Sequence, residues 1–312
     1  MATTNFSGDE FEKQTITSLN LYCLPDLTTG IYGQLTLKSV LNSFLSITAF
    51  FSNALVLVAL RKESPLHPPS KLLLRNLATT DLCVGLISQP LYAALLLTAV
   101  NEHWNICRYV AVVVSITNVI LCAVSLLTLT AISVDRLLAL LLGLRYRQVV
   151  TLRRAYGTVI GFWAVSTVLS TIKPFLNSLV RSWCEIIFVS LCLVTSTFSY
   201  TKVFINLRHR QNQLQDQVQQ PNQTNQLNMS RYRKAVSTAL WLQFTLVDCY
   251  LPFVISVTWL IHAKPSLSVS LAWNYTFTLV LLNSTLNPIL YCWKIDEVRQ
   301  AVKDTIRQVR CY

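Results

Sequence analysis

Seven long apolar stretches run through the chain, at about 39–60, 72–97, 109–142, 155–175, 186–207, 235–261 and 267–293, and charged residues gather where they end. Each is long enough to cross the roughly 30 Å hydrocarbon core of a bilayer as a helix. Helices are the spanning form that satisfies every backbone hydrogen bond at such lengths. The third stretch shows the pattern best: nothing between positions 109 and 134 is formally charged, and the next side chains are Asp135 and Arg136. Charges at the end of a run reach interfacial water, so they mark a membrane face. Within it, Ser115, Thr117, Asn118, Ser125 and Thr128 are spaced so that several share one side. This predicts a helix packed among others, with one seam that is wet or faces a ligand.

The pattern continues past the seventh stretch. From Lys294 to Arg310, apolar residues recur at Ile295, Val298, Val302, Ile306 and Val309 with charges between them. Such spacing predicts an amphipathic helix lying on a membrane surface. The fold class expected is therefore all-α: a seven-transmembrane helix bundle with a short amphipathic helix after the seventh span. Residues 1–38 form an N-terminal tail, 39–293 the membrane domain and 294–312 the amphipathic helix and tail. The Gln/Asn-rich stretch 211–230 is expected as a flexible third loop.

Composition agrees with a membrane domain. The chain is 53% hydrophobic and 13% charged, with a mean hydropathy of +0.46. Its net charge of +12 would suit nucleic acid, but the distribution argues against that partner. Of the 26 Lys and Arg, only Lys13, Lys38, Arg108, Lys173, Arg181 and Lys264 fall at one set of alternate ends and loops. The rest lie at the other set, which by the positive-inside rule is cytoplasmic. The N-terminus is then outside and the C-terminus inside, at the plasma membrane. Residues 1–38 lack an apolar core preceded by a basic segment, so no cleavable signal peptide is expected. Asn5-Phe6-Ser7 is a glycosylation sequon on this outer tail.

Two polar residues stand at mid-depth: Asn53 in the first stretch and Asp81 in the second. An intramembrane carboxylate marks a functional site. Pro90 and Pro252 are expected to kink the second and sixth helices. No nucleophile stands with a base, no metal-ligand spacing occurs and no phosphate loop is present, so an enzyme is not expected. From these features alone, a transporter or channel using Asp81 remains the rival to a receptor.

Asn53, the 77–81 segment with Asp81, Asp135-Arg136, Trp163, Pro252 and Asn287-Pro288-Ile289-Leu290-Tyr291 occur in this order, each in a different span. Together they resemble a rhodopsin-like (class A) G-protein-coupled receptor over about 39–308. The resemblance implies that Arg136 is held by Asp135 at rest and meets a heterotrimeric G protein on activation. Tyr291 and Tyr200 would join Arg136 in the active state, and Leu144 would insert into the G protein. Asp81, Ser125, Asn283, Ser284 and Asn287, with Asn53 alongside, match the family's sodium-holding network. Oxygen ligands and one carboxylate suit a hard cation; a sodium-free network with Asp81 partly protonated is the alternative. No other cofactor is implied. Arrestin, a receptor kinase and membrane lipid are the further partners expected.

The departures from the pattern bear on the ligand. Tyr250 stands where the family has a tryptophan switch, Leu137 replaces the tyrosine after Asp-Arg, and the sixth helix begins Arg231-Tyr232-Arg233-Lys234 without the usual acid. A less tightly latched resting state follows. Asn118 occupies the amine receptors' aspartate position, which disfavours a monoamine. No lysine lies in the seventh stretch, which disfavours retinal. The pocket residues implied are Asn118, Val119, Tyr250, Val254, Thr258, Trp259, His262, Trp273 and Phe277, suited to a lipid, a small neutral molecule or a peptide. The family bridge nominates Cys107 with Cys184. However, Cys107 lies one turn further from Arg136 than usual, which leaves a bridge to Cys23 open. The fifth stretch has no proline and the loop before it is short, features similar to the melanocortin-like branch.

Overall fold

The computed structural model describes residues 23, 30–61, 67–216, 223–262, 266–294, 299–300, 302–303 and 307 of the 312-residue chain. Six of its helices are long and apolar enough to cross a membrane: Tyr32–Arg61, Pro68–Val100, Trp104–Leu142, Leu152–Phe175, Ser178–His209 and Trp241–His262. These are the first to sixth spans. A seventh helix, Leu267–Lys294, completes the bundle by packing on the sixth and first. The third span is central, touching the second, fourth, fifth and seventh.

The outward faces of the spans are strongly apolar, and several polar side chains turn inward among buried apolar ones. On the first span, Leu37, Val40, Phe44, Ile47 and Phe51 are exposed, while Ser39, Asn42, Ser46 and Asn53 are buried. An outer surface so apolar suits lipid, and the inward polar groups find partners on neighbouring helices. Asn53 Nδ2 donates to the Ser284 carbonyl at 3.0 Å, joining the first span to the seventh. Asn76 links three spans, its Nδ2 donating to Thr128 at 2.8 Å and its oxygen accepting from Trp163 Nε1 at 3.1 Å.

Local sequence explains where the elements start and bend. Pro68 and Pro69 open the second span, where the missing N–H costs nothing. Before Pro90, residues Val84–Ser88 form a π-helical turn. Proline has no N–H for the carbonyl four residues back, so the ladder resets there. In that turn the first span comes very close. A Cβ on Gly85 would stand 2.8 Å from the Phe50 backbone nitrogen, and Ser46 donates to the Gly85 carbonyl at 2.6 Å. The third span ends at Gly143, whose φ of +51° is a conformation L side chains rarely adopt.

Three expectations change. Residues 181–185 are not in a loop: the fifth-span helix already starts at Ser178 and runs to Asp216. The sixth-span helix starts at Gln223, so the stretch 211–230 is helical at both ends, with 217–222 outside the described residues. Glutamine is a good helix former, which low complexity conceals. The disulfide joins Cys107 to Cys23, with Cα atoms 5.7 Å apart, and not to Cys184. Cys107 faces inward in the first turns of the third span, whereas Cys184 is free and exposed on a helix wall. A cysteine fixed on that helix cannot lie across the end of the third span.

Candidate functional site

The third span carries three polar groupings along its length. At mid-depth, Asp81 is fully buried and accepts three hydrogen bonds. Ser125 and Ser284 donate to Oδ1 at 2.9 and 2.8 Å, and Asn287 Nδ2 donates to Oδ2 at 2.8 Å. The second, third and seventh spans therefore meet on one carboxylate. Asn53 touches the grouping through the Ser284 carbonyl. Asn283 is buried nearby, and its Nδ2 has no hydrogen-bond partner among the described residues. The oxygens of Asp81, Ser125 and Ser284 form a donor set that fits a hard monovalent cation.

At the Arg136 end, Asp135 is engaged differently from the family expectation. Its Oδ2 accepts from Ser70 at 2.8 Å and its Oδ1 from Tyr146 at 2.6 Å. No ion pair joins it to Arg136 among the described residues. Adjacent residues on a helix point about 100° apart, so with Asp135 facing Ser70 of the second span and Tyr146, Arg136 points in a different direction. Tyr146 lies outside the spans, in the short helix Tyr146–Val149, beside His67 at a ring distance of 5.0 Å. Burial, and next its hydrogen bond to Asp135, push the Tyr146 phenol up to about 12, so it remains a donor at physiological pH. Tyr200 and Leu137 pack together in a small apolar cluster with Val203 and Leu207. The side chains of Leu144 and Tyr291 lie outside the described residues, as does Asn5.

Toward the Cys107 end lies a cavity of about 340 Å³ between the third, fifth, sixth and seventh spans. Asn118, Val119, Tyr250, Trp273 and Phe277 line it, as the family pattern implies. Trp273 and Phe277 stack with ring centroids 5.2 Å apart, and Phe253 closes on both. Thr258, Trp259 and His262 do not line it. Thr258 donates within its own helix to the Val254 carbonyl at 2.8 Å, and Trp259 is 48% exposed. His262 stands edge-on to Trp183, 6.5 Å between rings. The inward face of the sixth span is instead set by Tyr250, Phe253, Val257 and Leu260, spaced three and four apart.

Sequence reasoning missed the polar rim of this cavity. Lys173 and Glu185 form an ion pair there, and Arg181 lines the same region. The signal was present: Arg181 and Glu185 are spaced i, i+4, and helical phase puts them on one face with Ser178 and Ser182.

A family model described as 7 transmembrane receptor (rhodopsin family) matches residues 52–291. Similar relatives include melanocortin receptor 5 of Pan troglodytes, 24% identical over 273 residues, covering 84% of this chain and 82% of the relative. The Homo sapiens melanocortin receptor 5 is 25% identical over 277 residues, with the same coverages of 84% and 82%. With the match running from the first span to the end of the seventh, the chain belongs to the rhodopsin family of seven-transmembrane receptors.

Proposed function

We propose that this G-protein-coupled receptor sits in the plasma membrane with its N-terminus outside, takes its ligand into the cavity at the Cys107 end, and answers by opening the Arg136 end to a heterotrimeric G protein. One observation carries the reading: the cavity, the Asp81 grouping and Asp135-Arg136 lie on successive segments of one third-span helix, Trp104–Leu142. A ligand seated on Tyr250 and Phe277 touches the sixth and seventh spans, whose internal Pro252 and Pro288 are natural bending points. It shifts a pre-existing equilibrium between closed and open inner faces. The same Asp81 grouping that links the second, third and seventh spans makes a transporter's free carboxylate unnecessary.

The finer assignments are proposals on the same footing. Asp81, Ser125 and Ser284 would hold a sodium ion that favours the resting state. Arrestin and a receptor kinase follow activation, Asn5 carries glycan, and residues 294–312 contact inner-leaflet lipid. The relatives' name makes a melanocortin a candidate ligand.

The deciding experiment measures basal and ligand-driven activation across a panel of G-protein families, with wild type and Arg136→Ala at matched surface level. A signal in one family that Arg136→Ala abolishes is expected. Signal that survives Arg136→Ala undiminished would overturn the proposed coupling route. For sodium, wild-type ligand affinity should vary over a sodium titration and Asp81→Asn should remove that dependence. Equal affinity at all sodium concentrations in wild type would sink the ion.

A further inference from the structure

The sixth apolar stretch holds one formally charged residue between positions 235 and 261, Asp248, and it stands at the midpoint, thirteen residues from either end. That is roughly 20 Å of helix in each direction. Tyr250, two residues on, lines the cavity, and Leu246 and Cys249 are buried in the core. Residues two apart on a helix point about 200° apart. Asp248 therefore stands on the wall opposite Tyr250, and it is exposed there. An aspartate side chain is too short to reach interfacial water from such a depth, and ionisable groups at mid-membrane normally turn inward to a partner.

The adjoining span supplies none. Gln243 Nε2 donates to Thr197 Oγ1 at 2.6 Å, which fixes the depth of the fifth span against the sixth. Counted antiparallel from that pair, Asp248 is level with position 192, and the outward side chains there are the apolar Leu191 and Val194. Lys202, an exposed cation of the fifth span, lies ten residues further toward the inner face, about 15 Å away. No hydrogen bond or ion pair reaches Asp248 among the described residues.

The wall around Asp248 has a regular spacing. Trp241, Phe244, Leu251, Ile255 and Trp259 are all exposed, and with Asp248 among them the steps are three, four, three, four and four. This is the alternation of a coiled-coil seam with a single polar position inside it, the arrangement that fixes register and partner number. From Trp241 to Trp259 the seam runs roughly 27 Å, nearly the thickness of the hydrocarbon core.

We propose that two copies of the receptor associate side by side along this seam, with the Asp248 carboxyls of the two copies in contact. Copies inserted in one orientation are related by a two-fold axis along the membrane normal, so each seam residue meets its own counterpart at its own depth. A carboxyl is self-complementary in that geometry. Two of them share a proton, one oxygen donating and the other accepting, and both are withdrawn from lipid. Phe244, Leu251 and Ile255 pack around the pair and exclude lipid from it.

The test begins with oxidative cross-linking in membranes of cells expressing the full-length receptor, with Cys184 and Cys311 first replaced by Ser. Leu251→Cys and Ile255→Cys should give disulfide-linked dimers, whereas Phe44→Cys and Ile160→Cys, at exposed sites on the first and fourth spans, should not. Energy transfer between labelled purified receptors in phosphatidylcholine vesicles then reads the dimer dissociation constant. Asp248→Leu should raise it about tenfold, the scale of one hydrogen bond between membrane helices. Asp248→Asn, whose amide both donates and accepts, should retain association. Leucine suits a lipid-facing site, so Asp248→Leu should reach the cell surface at least as well as wild type, which separates loss of the dimer from loss of the fold. Equal cross-linking at Ile160→Cys and Leu251→Cys, or association undiminished in Asp248→Leu, overturns the proposal. Purified receptor that stays monomeric in the vesicles, while Leu251→Cys in cells links to another protein, would assign the seam to a different membrane partner and overturns it too.

Discussion

The Tyr146 phenol lies 2.6 Å from Oδ1 of Asp135 and donates its hydrogen to it. A tyrosine between the third and fourth spans thus holds the acid beside Arg136, and Ser70 at the start of the second span holds the same carboxylate at 2.8 Å. Tyr146→Phe keeps the ring against His67 and removes only the donor. Loss of one hydrogen bond to a buried carboxylate should lower stability by about 1–3 kcal/mol. Combined with Ser70→Ala, the loss should exceed the sum of the two single losses, because Asp135 is then left without either donor. Thermal unfolding in one detergent at fixed pH reads this, and a Tyr146→Phe midpoint equal to wild type would refute it. The phenol is raised from 10.0 to about 12, so its bond contributes fully below pH 10 and is lost only as pH rises through about 12. The difference between wild type and Tyr146→Phe should therefore be flat from pH 6 to pH 8.

Arg136 has no acidic partner among the described residues, since Asp135 is engaged by Ser70 and Tyr146. A resting state without that latch should be populated alongside the open state, giving basal signalling above that of empty cells. The measurement is G-protein activation without ligand at verified surface expression. A level equal to empty cells would show that another contact closes the Arg136 end.

At Gly85 the first and second spans approach closely. A Cβ there meets backbone at 2.8 Å and the Ala49 Cβ at 3.0 Å, so Gly85→Ala must part the helices. A cost of roughly 1–3 kcal/mol and reduced surface expression are expected, as for overpacked interiors. Gly157→Ala meets nothing within 4 Å and serves as the contrast. If both variants reach the surface equally, the close packing is not what requires glycine.

The Cys23–Cys107 bridge closes a separation of 84 residues and ties the N-terminal segment to the third span. Cys23→Ser and Cys107→Ser should lower thermal stability by the same amount, and the double variant by no more. Cys184→Ser should have no such effect, because that thiol is exposed and unpaired. Maleimide labelling of unreduced protein should find Cys184 reactive in wild type. A stability loss on Cys184→Ser matching that of Cys107→Ser would restore the other pairing.

By itself the sequence determined the helices, their number and their neighbours at the polar centre. Hydrophobic run length is a local property, and Asn53 and Asp81 stand at depths where a polar group must find a partner; that Ser125, Ser284 and Asn287 join them was legible only through the resemblance to the rhodopsin-like family. What the tertiary structure decided is rotation and reach. Which face of the sixth span turns inward separated Phe253 from Trp259, and the early start of the fifth-span helix put Arg181 and Glu185 on the cavity wall and carried Cys184 away from Cys107. The partner of Asp135 likewise depended on where Tyr146 lands after Gly143. These follow from the angles and offsets at which helices pack, and such angles are set by many side chains at once rather than by any one stretch of sequence.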